Sequence, residues 1–335
     1  MSLTNQLKDK NSPVRQFFEK YENKDGVSEC LAFLQSTKPI RPLSFIPESR
    51  GTHAVMGTTA DYLFRYTVQG NSLCFENTTA YIAGRGGVSY GGEYRTLDSA
   101  FFRSLFEIGK FYLDGRYATD EYSIYSATAL AVLDGFFRSS HVPQIFLAPI
   151  SKETELRINK LDGDNPSQKL AWYLFDLYYQ SLGGKLYAQD LSELINQLML
   201  AIQDNKSEIY KASIKVGNEV LSNSKLVGGA DFDCVIEYNN RHVLTDIKTT
   251  LKPLTIAHLR QILGYALLYE EGKDSFKFTD VGIYHSRSVS FRFLPVSRVI
   301  EMCLPSFDSL QHVREAFVSE LKLSPQHGMF VRQIT

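Results

Sequence analysis

The chain has 335 residues, of which 44% are hydrophobic and 22% charged, and its formal net charge is −1. Those values fit a globular protein with a substantial core and exclude a general polycationic coat, although a local groove of Arg and Lys can still attract nucleic acid. No run approaches the ~20 apolar residues of a membrane span, and MSLTNQLKDKNSPVRQ lacks the apolar core of a secretory signal; a cytoplasmic protein without a membrane partner is expected.

Ser12-Pro13 followed by VRQFFEKY predicts a capped amphipathic helix with proline at its first position. A Pro-rich connector over 38–51 leads to a helix expected over Gly57 to Tyr66. Cys30, Cys74, Cys234 and Cys303 are scattered without a C-x-x-C pair, which suggests ordinary thiols and not a zinc site or a disulfide framework. The glycine-rich stretch 84–92 lacks phosphate-loop spacing and reads as a surface loop. Segments 97–112, 118–138, 166–181 and 187–203 carry apolar residues at three- and four-residue intervals, as helices do. At that spacing the aromatics of AWYLFDLYY (171–179) read as core before they read as a base-stacking platform.

After residue 210 the period changes. SIKVGNEVL, GGADFDCVIEY, RHVLTDIKTT, DVGIYHSR and SVSFRFLP alternate and are rich in β-branched and aromatic residues, predicting strands. A helix over Thr255 to Tyr269 interrupts them, and a helical region over 296–322 follows. The expected organisation is a mostly helical region over 1–205, a sheet core over 206–295 and a helical region over 296–335, joined as one continuous globular unit. The class is α/β.

The chemistry concentrates between Lys225 and Tyr265. With Asn239-Asn240 as a two-residue turn, residues whose numbers sum to 479 face each other, because Asn tolerates the positive φ of such a turn. Asp233 then opposes Asp246, and Asp231 opposes Lys248, all four on one face. Opposed carboxylates repel by roughly 0.2–1 kcal/mol, so they call for a compensating cation. Oxygen ligands without histidine or thiol favour Mg²⁺ or Mn²⁺, which can polarise a phosphoryl oxygen. Lys248 is placed to hold or deprotonate an attacking water, or to neutralise charge on phosphorus. The competing reading of the same residues is a cross-strand salt bridge.

GGADFDCVIE, then TDIKTT, then QILGY resembles the RecB-like branch of the PD-(D/E)xK nuclease superfamily, over about 45 residues. The resemblance implies a restriction-endonuclease-like mixed β-sheet core flanked by helices over 206–295, with a large mostly helical N-terminal elaboration whose 50–70 helix packs on that core. It implies a Mg²⁺- or Mn²⁺-dependent hydrolase of nucleic-acid phosphodiesters, DNA before RNA, serving genome maintenance or defence against foreign DNA. By resemblance Asp246 and an upstream Asp are metal ligands, the Ile247 carbonyl joins them, Lys248 is the catalytic lysine, and Gln261 with Tyr265 supports lysine and substrate. Spacing from Gly228 selects Asp231 as the upstream ligand, whereas the hairpin register favours Asp233.

Some relatives carry a G-x-x-x-H element on an earlier helix; here Gly57 is followed by Asp61 in the histidine position, with His53 one turn before. Asp61 is therefore either a further oxygen ligand or an ordinary helix-surface residue, and Glu219, on the segment just before the acidic strand, is another candidate ligand. The dispersed cysteines argue against the iron–sulfur cluster of some relatives, and the missing Walker loop assigns any motor or recognition subunit to a separate protein. Lys225, Lys252, Arg260, Arg287 and Arg292 are candidate phosphate contacts. The alternative function is a non-catalytic nucleic-acid-binding or assembly module that retains the fold.

Overall fold

The computed structural model describes residues 3–43, 50–69, 79–85, 90–91, 96–113, 119–139, 142–161, 165–217, 221–230 and 232–323. They fall into two compact units, one formed by 1–41 with 201–335 and the other by 42–200. This differs from the expected division at 205 and 295: the first 41 residues belong with the sheet and not with the helical region that follows them.

The first unit is built on helices α1 (Leu3–Lys8), α2 (Pro13–Tyr21) and α3 (Lys24–Leu34). Ser12 caps α2 as expected, its side chain accepting from Arg15 N–H at 3.0 Å. The second unit is helical: α4 (Arg50–Gln69), α5 (Thr79–Arg85), α6 (Ser99–Leu113), α7 (Glu121–Ser139), α8 (Gln144–Leu147), α9 (Lys152–Asn159), α10 (Pro166–Ser181) and α11 (Gly184–Gln203), with a short ladder of β1 (Tyr90–Gly91) and β2 (Thr96–Leu97). Of the expected glycine-rich loop, Gly84 and Arg85 end α5, Tyr90 and Gly91 form β1, and the rest lies outside the described residues.

The chain then returns to the first unit as β3 (Ser213–Gly217), β4 (Cys234–Tyr238), β5 (Arg241–Lys248), α12 (Ile256–Leu268), β6 (Asp280–His285), β7 (Ser290–Pro295), α13 (Val296–Cys303) and α14 (Leu310–Leu323). The five strands lie in sequence order. Only β5 and β6 pair in parallel, which requires a crossover, and α12 supplies it. The result is a mixed α/β architecture. The single helical region expected over 296–322 is two helices, and Pro305 lies between them.

One sheet face presents Val235, Leu244, Val281, Ile283 and Leu294 to Leu259, Ile262, Leu263 and Ala266 of α12, all buried in one cluster. Leu3, Leu7, Phe17 and Phe18 of the first two helices join it. Each such side chain contributes about 1.5–3 kcal/mol on full burial, which explains why the N-terminal residues pack here. Gly264 permits the approach, since a Cβ there would lie 3.0 Å from Leu3 Cδ2. Leu3 N–H also donates to the Gly229 carbonyl at 3.0 Å, and Gln6 Nε2 to the Val227 carbonyl at 2.8 Å.

The helical unit has its own core, with Tyr62, Leu63, Phe101, Leu105, Leu130, Leu133, Phe175 and Leu191 among its buried members. On α4 the buried residues Met56, Ala60, Tyr62, Leu63 and Tyr66 belong to that cluster. Their apolar spacing specifies a buried face but not its partner. Among the described residues no helix is long and apolar enough to cross a membrane.

Candidate active site

The site lies where β5 ends. Asn239 (φ 50°) and Asn240 (φ 60°) both adopt the left-handed conformation required by a type I′ turn, and the β4–β5 register runs from Tyr238↔Arg241 to Cys234↔Thr245. Every pair sums to 479, as the turn predicts. Upstream, Gly228 (φ 75°) and Gly229 (φ 120°) make a turn that a side chain would strain, and it feeds the chain toward the acidic segment.

Asp233 stands one residue before β4. Its Oδ2 accepts from Ile247 N–H at 2.7 Å, so its carboxylate is held against the segment that carries Asp246 and Lys248. Asp246 is 1% exposed, and the Lys248 ammonium forms an ion pair with its carboxylate. Lys248 Nζ donates to Gln261 Oε1 at 3.4 Å, and Gln261 Nε2 donates to the Tyr265 hydroxyl at 2.8 Å. The spacing of four places Gln261 and Tyr265 on one face of α12. Asp233, Asp246, Lys248, Gln261 and Tyr265 are thus one connected group.

Strand β6 supports the lysine's backbone. Lys248 is in register with His285, and the Lys248 carbonyl accepts from Ser286 N–H at 3.0 Å and Ser286 Oγ at 3.2 Å. His285 Nε2 lies 2.8 Å from the Leu34 carbonyl; a carbonyl only accepts, so this nitrogen carries the proton. His258 Nδ1 accepts from Thr255 N–H at 3.0 Å, closing a capping box at the start of α12. Burial first, then the charge of Lys248, pushes the His258 imidazole down to about 4. Burial also lowers His285, opposed by its bond to Leu34. Both rings are neutral at pH 7. Sequence patterns did not single out His285 or Ser286, because the parallel β5–β6 register that brings them to Lys248 has no turn to reveal it.

Other expectations fare differently. Asp231 and Glu219 lie outside the described residues. Asp61 is buried on α4 in the helical unit, where its carboxylate pairs with Arg65. Arg260 is not an exposed phosphate contact: it is 3% exposed, Nε donates to Glu22 Oε2 at 2.8 Å, and Nη2 reaches the other carboxylate oxygen. Arg287 is buried, its Nε donating to the Thr249 carbonyl at 2.9 Å. Arg292 is half-buried and donates to Thr37 Oγ1 at 3.1 Å, while Lys225 and Lys252 are exposed.

Among the described residues no cluster of three or more His, Cys, Asp and Glu side chains is positioned to hold a metal. The oxygen donors of this segment, the Asp246 carboxylate, the Asp233 carboxylate bound to Ile247 N–H and the Ile247 carbonyl, are of the kind a small hard cation takes. Mg²⁺ commonly takes one or two carboxylates and completes its shell with water and substrate phosphate. The bond from Ile247 N–H uses one of about four acceptor sites on the Asp233 carboxylate, so that bond and coordination are compatible.

No protein-family model matches the chain, and neither a curated protein nor a solved structure matches it.

Proposed function

We propose that the protein is a metal-dependent nuclease of restriction-endonuclease-like fold, hydrolysing phosphodiester bonds of nucleic acid, DNA before RNA. The observation that carries this reading is the linked set Asp233–Ile247 and Asp246–Lys248–Gln261–Tyr265 at the end of a central strand. The mixed sheet, the parallel β5–β6 pair and the crossover helix bearing Gln261 and Tyr265 support the same reading.

Asp233, Asp246 and the Ile247 carbonyl are the residues that would hold Mg²⁺ or Mn²⁺. Bound there, the cation supplies Lewis-acid polarisation and charge compensation for the phosphoryl group. Lys248 supplies the chain's own positive charge at the reacting phosphate and an amine within reach of an attacking water. Gln261 limits the positions its ammonium adopts, and Tyr265 fixes Gln261. Preorganised charge of this kind is worth roughly 10²–10³ in turnover for each donor.

The buried Asp246–Lys248 ion pair supports a second reading, a non-catalytic nucleic-acid-binding or assembly module in which the pair is structural. Digestion of linear and circular duplex DNA, single-stranded DNA and RNA, with Mg²⁺, Mn²⁺ or chelator, separates the two. Metal-dependent cleavage supports the nuclease. Folded protein that binds nucleic acid equally with and without metal and cuts none of these substrates supports the module.

A further inference from the structure

The helical unit contains a second concave site. A cleft of about 510 Å³ opens between the first turns of α7 and the outer face of α10. From α7 come Glu121, Tyr122 and Tyr125, and from α10 come Trp172, Asp176 and Tyr179. Part of the aromatic segment expected to be core therefore faces this space: Phe175 is fully buried, whereas Trp172 is half-buried at the cleft.

Three observations define what would fit. The rings form a wall, with Tyr125 stacked on Trp172 (centroids 6.4 Å apart, planes 21° apart) and meeting Tyr179 edge-on at 4.9 Å. Glu121 and Asp176 add two exposed carboxylates, and among the described lining residues there is no Lys, Arg or His. At the back, Tyr179 is 2% exposed and its hydroxyl has no hydrogen-bond partner among the described residues. A buried hydroxyl gains from a hydrogen-bonding partner, and this one borders the cleft.

Aromatic faces attract cations through their quadrupole. Carboxylates at the same site repel phosphate and strengthen a cation's binding. A hydroxyl at the back accepts a hydrogen bond from an N–H group. We propose that this cleft binds an organic cation bearing N–H donors, a guanidinium or primary ammonium group, whose plane or alkyl stem lies on the Tyr125–Trp172 wall and whose N–H reaches Tyr179. A free small amine and an arginine or lysine side chain of a partner protein share this chemistry. Nucleic acid does not.

Trp172 is the chain's only tryptophan, so intrinsic fluorescence reports on this cleft directly. The full-length protein is titrated, by fluorescence and by calorimetry, with agmatine, acetyl-arginine amide, an arginine-containing Gly-Ser peptide, tetramethylammonium and AMP. Saturable binding of the guanidinium ligands is expected, with tetramethylammonium weaker and AMP weakest. Tyr122→Ala and the double variant Glu121→Gln/Asp176→Asn, all at exposed positions, should each weaken guanidinium binding about tenfold. Tyr179→Phe should reduce the preference for guanidinium over tetramethylammonium. Tighter binding of the peptide than of both small ligands points to a protein partner, and equal or weaker binding to a free amine. The absence of saturable binding by both methods, AMP binding more tightly than the cations, or unchanged affinity in the double variant would each overturn the assignment.

Discussion

Asp233 Oδ2 accepts a hydrogen bond from the backbone N–H of Ile247 at 2.7 Å. Beyond the last β4–β5 pair, Cys234↔Thr245, a side chain thus occupies the place of the ladder. One carboxylate fixes the backbone between Asp246 and Lys248 while bringing negative charge to them. These two roles can be separated.

Asp233→Asn retains an oxygen acceptor and loses the charge, so it should unfold within about 1 kcal/mol of the parent but lose metal-dependent activity by roughly 10²-fold or more. Asp233→Ala also leaves the N–H without this acceptor and should lose a further ~1–3 kcal/mol. Denaturant unfolding and cleavage rates measured on both variants make the comparison; equal activity in Asp233→Asn and parent would remove Asp233 from the site.

The chain from Lys248 through Gln261 to Tyr265 predicts a graded effect. Tyr265→Phe keeps the buried ring and removes the acceptor of Gln261 Nε2. Melting temperature should change little, while turnover falls roughly ten- to a hundredfold through misplacement of the ammonium. Steady-state kinetics should show the loss in kcat more than in KM.

Arg260 should behave as a structural residue. Its paired bonds to Glu22 tie α12 to the end of α2, and Arg260→Ala leaves a buried carboxylate without its guanidinium, costing roughly 3–5 kcal/mol. Lys252 is exposed. Lys252→Ala should leave stability within about 0.5 kcal/mol and, if Lys252 touches phosphate, lower the salt dependence of nucleic-acid binding by about one ion. Unfolding curves and binding titrations across salt concentrations check both.

Much of this site is legible in sequence, for local reasons. Two asparagines able to adopt positive φ fix a hairpin register, and alternation then puts Asp246 and Lys248 on one face. Helix α12 is legible because its apolar period is uninterrupted between Thr255 and Tyr269. What escaped is nonlocal. Nothing in VRQFFEKY specifies that Phe17 and Phe18 pack in the sheet unit, since an amphipathic face does not name its partner. Arg260 looks like any basic residue near the Asp246–Lys248 segment until Glu22, 238 positions away, is found against it. His285 meets Lys248 through a parallel pairing whose register is set by packing over a crossover.

His258 gives the site's helix a pH dependence. Its folded-state pKa is depressed from 6.5 to about 4, so the unfolded chain binds a proton first as pH falls. The associated stability is full above about pH 6.5 and is lost progressively between there and about pH 4. Protonation also removes the Nδ1 acceptor of the Thr255 N–H. His258→Gln can keep a capping-box acceptor without titrating, so its stability should fall less steeply across this window. Parallel slopes for the two proteins in unfolding experiments from pH 4 to 7 would contradict the assignment.

The most direct measurement is the cleavage rate of Lys248→Ala beside the parent, in Mg²⁺, on the best substrate from the digestion panel, with circular dichroism confirming that both are folded. The prediction is metal-dependent cleavage by the parent and a loss of roughly 10²–10³-fold or more in the variant. Equal rates in two folded proteins would contradict the assignment of Lys248 and, with it, the catalytic reading of the Asp246–Lys248 pair.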